Sequence, residues 1–131
     1  MDLLESPFAT LHVDPSRCLA RLTRSSVNFT SPEDARGFVE DVARAIKPMT
    51  SAGYVVLSDV RSATGATNKE TEEVLKELRT HLLETFSRVA LLVRTEAGRL
   101  QSERFGREQE NSVAVFRDEE SALAYLFGGG Q

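Results

Sequence analysis

Two short unbroken apolar runs, Tyr54-Val55-Val56-Leu57 and Val89-Ala90-Leu91-Leu92-Val93, set the tightest limit on what this chain can fold into. Neither alternates with polar residues, and each is bounded by polar sequence, which is the pattern of a strand covered on both faces. Between them Val74, Leu75, Leu78, Leu82 and Phe86 recur at helical spacing. Strand, amphipathic helix and strand in that order predict neighbouring parallel strands joined by a helical crossover.

The flanking segments extend this pattern. Residues 8–13 read as a strand, Asp14-Pro15-Ser16-Arg17 as a turn, and residues 18–23 as the returning strand of a hairpin. In that strand Cys18, Ala20 and Leu22 alternate with Leu19, Arg21 and Thr23, so Cys18 is expected as a small buried hydrophobe. Ser31-Pro32-Glu33-Asp34 is a helix start with a cap, a proline at the first helical position and two acids at the positive end of the dipole. Ala35, Phe38, Val39, Val42, Ala43 and Ile46 make its inner face, and Pro48 ends it. Thr67-Asn68-Lys69-Glu70 has the form of a capping box with Thr67 as cap. Thr95 and Glu96 are expected to begin a further helix with Ala97, Leu100 and Phe105 inside. Residues 113–116 form the last strand, and Asp118 caps a final short helix built on Ala122, Leu123 and Leu126. The predicted order is ββαβαβαβα, one α/β domain over residues 1–131 with a mixed, largely parallel sheet.

Composition narrows the function. A formal charge of −4 disfavours bulk attraction to nucleic acid or anionic lipid. One cysteine excludes an internal disulfide. The first seven residues carry Asp2 and Glu5 and do not read as a signal peptide, no window is apolar enough to insert in a membrane, and the expected location is the cytoplasm. The sequence has no P-loop, GxGxxG, GxSxG, HExxH or CxxC. His12 and His81 have no ligand-like neighbours in sequence and read as structural or surface residues. No cofactor, metal or catalytic residue is expected.

Ligands of open α/β sheets favour the crevice beyond the strand carboxyl ends. Residues 58–68 and 94–99 fill that position, and both segments hold hydroxyls, a glycine and an arginine ahead of a helix. The candidate partner- or anion-binding residues are Arg61, Ser62, Thr64, Thr67, Arg94 and Arg99. Thirteen of the sixteen basic residues are arginines, suited to bidentate contact with carboxylate or phosphate. Arg94, Arg99, Arg104 and Arg107, with Gln101 between, form either a solvated face or a partner surface.

With this order in place the chain resembles the SpoIIAA-like or STAS-like family (sulfate transporter and anti-sigma-factor antagonist) over nearly its whole length. The resemblance rests on Val55-Val56-Leu57-Ser58-Asp59-Val60-Arg61-Ser62-Ala63-Thr64-Gly65, on Ser87-Arg88-Val89-Ala90-Leu91-Leu92-Val93-Arg94-Thr95, and on Phe116-Arg117-Asp118-Glu119-Glu120-Ser121-Ala122-Leu123-Ala124-Tyr125-Leu126. It implies non-enzymatic regulatory or scaffold work through another protein, often switched by phosphorylation at the start of the second helix. Gly65 stands near the family's phosphoacceptor position, so Thr64 and Thr67 are the candidate phosphoacceptors. Homo-oligomerisation stays open. Other SpoIIAA-like proteins resemble lipid carriers, which implies an alternative: carriage or sensing of a small apolar ligand in an internal cavity.

Overall fold

The computed structural model describes residues 1–63, 68–94 and 113–128. Its strands are β1 (Asp2–Glu5), β2 (Ala9–Asp14), β3 (Leu19–Arg24), β4 (Val55–Asp59), β5 (Arg88–Leu92) and β6 (Ala114–Phe116). Its helices are α1 (Pro32–Ile46), α2 (Lys69–Thr85) and α3 (Glu119–Leu126), with a 3₁₀ turn at Lys47–Met49. The six strands lie in one sheet in sequence order. β1, β2 and β3 are antiparallel, and β3 through β6 are parallel. The mixed α/β architecture matches the expectation from sequence, and the helix expected from Thr95 lies outside the described residues.

Local chemistry sets the element ends. The Ser31 hydroxyl accepts the Asp34 N–H at 3.1 Å, and Pro32 occupies the first turn of α1. Asp118 caps α3 by accepting the Ser121 N–H at 2.8 Å. At α2 the cap is Asn68, whose side chain accepts the Thr71 N–H at 2.8 Å, in place of the expected Thr67. Thr67 itself lies outside the described residues.

Three further expectations are corrected. Residues 2–5 form a strand although their own sequence carries no strand pattern. They are held by pairing with β2, with a bulge at Leu3 between the Asp2↔His12 and Leu4↔Leu11 pairs. Cys18 is exposed, not buried. It closes the β2–β3 turn at φ 52°, after Asp14 accepts the N–H and hydroxyl of Ser16. The strand begins one residue later, at Leu19. Ser58 and Asp59, placed by sequence in a loop, are buried residues at the end of β4.

Successive right-handed crossovers that step in one direction across a sheet place their helices on the same face. α1 and α2 accordingly share a face, where Phe38, Val39, Val42, Val74, Leu78 and Leu82 pack with Leu11, Leu22, Val56 and Leu91. α3 lies on the opposite face, where Ala122 and Leu126 meet Leu19, Val55, Leu57, Ala90 and Leu92. Arginines tie this short helix down. Arg88 donates to the Tyr125 carbonyl at 2.6 Å and stacks on the Tyr125 ring, and Arg17 stacks on Phe127 at 4.9 Å. Among the described residues, no helix is long and apolar enough to cross a membrane.

Candidate functional site

Parallel pairing brings the carboxyl ends of β3, β4, β5 and β6 to one edge, with Thr23, Asp59, Leu92 and Phe116 side by side in register. Asp59 is the centre of this edge. It is only 6% exposed, and a carboxylate so placed needs a charged partner or several donors. Arg61 supplies both. Its Nε donates to Oδ1 at 3.1 Å, its Nη2 donates to Oδ2 at 2.8 Å, and its backbone N–H reaches Oδ1 at 3.1 Å. The side chain thus folds back on its own strand end.

The pair is extended by Glu119 at the start of α3. Glu119 accepts a hydrogen bond from Arg21 of β3 and lies 3.7 Å from Arg61 Nη2. Arg21, Glu119, Arg61 and Asp59 form an alternating chain of charges that joins β3, β4 and α3. Burial pushes the Asp59 carboxyl upward. The Arg61 hydrogen bonds and the charges of Arg61 and Arg21 outweigh it and hold the group below the ordinary carboxylate range. The same Asp59 hydrogen bonds raise Arg61.

The residues expected at this edge therefore differ in state. Arg61 is half-buried and already bonded within the molecule. Ser62 and Arg94 are exposed. Arg94 stands two residues past the Leu92 position and pairs with no acid among the described residues. The Val60 N–H donates to the Leu92 carbonyl at 3.0 Å, which fixes the two strand ends against each other. Thr64, Thr67 and Arg99 lie outside the described residues.

Sequence reasoning missed Asp59, Arg21 and Glu119. The available signal was an Asp two residues ahead of an Arg at the end of a buried strand. The acid-capped final helix gave the second carboxylate. His12, read from sequence as a structural or surface residue, bonds to Asp2 across the β1–β2 pair at 2.7 Å, away from this edge.

Comparison of the chain with protein-family models, with curated proteins and with solved structures gives no significant match. The fold and this edge define an α/β domain with a charge-braced platform at the carboxyl ends of its parallel strands.

Proposed function

We propose that the chain is a non-enzymatic, STAS-like protein-interaction module working in the cytoplasm, and that it docks another protein on the carboxyl edge of its parallel strands. The observation that carries this reading is the contrast at that edge. Arg61 is paired with the buried Asp59, while Ser62 and Arg94 at the same edge are exposed. Rigid scaffolds that present exposed polar and cationic loop residues are a common basis for recognition. The mixed sheet, and the aromatic strand end at Phe116 followed by an acid-capped helix, agree with the resemblance. Phosphorylation at Thr64 or Thr67 would add negative charge to the segment ahead of α2.

A photo-crosslinking residue placed at Ser62 or Arg94, on folded protein in cells, tests the proposal. The control position is Ser51, at the amino end of β4 and so at the opposite edge of the sheet. A defined protein captured from positions 62 and 94 but not 51 is expected. Capture only from position 51 refutes the docking edge. Copurification of a lipid-like molecule, with no protein captured at any position, would replace this reading by the apolar-ligand carrier.

A further inference from the structure

The carboxyl edge carries a pattern that no single segment reveals. Each of the four parallel strands runs into an arginine, at Arg24, Arg61, Arg94 and Arg117, one or two positions beyond the Thr23–Asp59–Leu92–Phe116 row. A chain of net charge −4 thus places four arginines at one edge of its sheet. Several carboxylates near it among the described residues are already engaged. Asp59 and Glu119 hold Arg61 and Arg21, Glu33 lies 3.5 Å from Arg36, and Asp34 accepts from Thr30.

Arg24 shows what remains open. Its guanidinium lies 4.6 Å from the Phe29 ring centre and 5.7 Å from that of Phe38, within a trio completed by Phe8. Its Nε donates to the Phe8 carbonyl at 3.1 Å. Among the described residues nothing accepts from Nη1 or Nη2, and no carboxylate pairs with it. Burial alone pushes this guanidinium's pKa down. The rings compensate the cation in part. They also hold the side chain in place, leaving its Nη1 and Nη2 groups as donors suited to two oxygens of one oxyanion. Arg94, two strands away, is the second cation without an acid partner among the described residues.

We propose that Arg24 and Arg94 are two oxyanion anchors of one docking rim, and that the segment seated on it is acidic, presenting carboxylates or phosphates to both. Two strand spacings separate the anchors' backbones, about 10 Å. Arg24 leans from there toward Phe8, on the β2 side, so the two anions must stand at least three residues apart in an extended segment. Arg61 shows the same chemistry satisfied internally, by Asp59. This inference rests on the reading that the carboxyl edge docks a partner, and adds the chemistry of what it docks.

The test is a fluorescence anisotropy titration of the full chain with a fluorescein-labelled deca-glutamate peptide at low ionic strength. The protein's net negative charge opposes this probe, so a saturable rise can come only from a local cationic site. Arg24→Gln and Arg94→Gln are each expected to weaken binding by about tenfold, and salt should weaken it further. Displacement by inorganic phosphate at constant ionic strength would show that phosphate is also accepted, and persistence of the peptide would assign the rim to carboxylates. Absence of saturable binding, or equal affinity in Arg24→Gln, overturns the proposal. Should Arg24→Gln fail to fold, Arg24→Lys keeps charge and stem but loses the fork, and unchanged affinity there is equally decisive. A partner captured at positions 62 and 94 by a protein that ignores deca-glutamate would leave the docking edge standing and remove this inference alone.

Discussion

Removing the Arg61 side chain should be far more costly than its partial exposure suggests, because of what it leaves behind. In Arg61→Ala the Asp59 carboxylate, whose side chain is 8% exposed, keeps only the backbone N–H of residue 61 and the distant charge of Arg21. Breaking a fully buried pair by deleting one partner costs about 3–5 kcal/mol. Arg61 is 42% exposed, so water replaces part of what is lost, and the loss of charged hydrogen bonds, about 1.5–3 kcal/mol, is the better guide. With a urea slope of about 1.5 kcal/mol per molar, the unfolding midpoint should fall by about 1–2 M at pH 7. The pH dependence sharpens the test. In the native protein the Asp59 pKa is depressed, so its contribution is present above the unfolded carboxyl value of about 3.9 and is lost as pH falls through the lower folded value. Without Arg61, burial dominates and the folded pKa rises above the unfolded one. The sign then reverses, and the variant is penalised as pH rises through that window. The gap between native protein and variant must therefore narrow below about pH 4. Asp59→Asn in the Arg61→Ala background should recover part of the loss, since a neutral amide is easier to bury. A midpoint shift under about 0.3 M, or one independent of pH, would refute the reasoning.

Cys18 sits at φ 52°, where a side chain costs about 1–2 kcal/mol, so Cys18→Gly should be neutral or stabilising by up to about 1 kcal/mol after the added freedom of the unfolded chain; a clear drop in the denaturant midpoint would mean that the thiol packs usefully. Val56→Ala and Leu78→Ala, both in the larger core, should lose about 1–5 kcal/mol each, whereas Arg94→Ala should stay within about 0.5 kcal/mol; equal midpoints for the three variants would show the helix facing to be wrong. Ser58 is 6% exposed and its hydroxyl bonds to nothing among the described residues, so Ser58→Ala should be neutral or gain up to about 1 kcal/mol in chemical denaturation; a loss above about 1 kcal/mol would reveal a partner for the hydroxyl.

The features legible in the sequence were those written within one element. Ser31, Pro32 and Asp118 announce helix starts through their own chemistry, and Val89–Val93 announces a buried strand through its lack of alternation. What escaped depends on contacts between segments far apart. β1 is a strand because β2 offers it an edge to pair with, not because of its own composition. Cys18 misled because the left-handed position that ends a tight turn is usually signalled by glycine or asparagine, and the alternation beyond it continued through the turn. Asp59 reads as part of a polar loop that starts at Ser58, until Arg21 and Arg61 are brought beside it. Arg24 gives no local sign of its setting, since Phe8, Phe29 and Phe38 come from three separate stretches. At the edge, Arg61 and Arg94 were found by topology alone, but that one is bonded internally and the other exposed could not be read from residue type.

The late position of α3 has a consequence for how the domain is made. β3, β4 and β5 can pair once residue 92 has emerged from the ribosome, and α1 and α2 are then available to cover one face. The other face, with Leu19, Val55, Leu57, Ala90 and Leu92, stays uncovered by α3 until residues 119–126 emerge. An eight-residue helix is too short to persist alone in water, so it must form as it docks. Arg21 and Arg88 wait on the sheet at either end of its seat, and can capture Glu119 and the Tyr125 carbonyl as they arrive. Until α3 docks, this apolar strip is open to neighbouring chains, so the docking of α3 is a step at which the folding domain is exposed to aggregation.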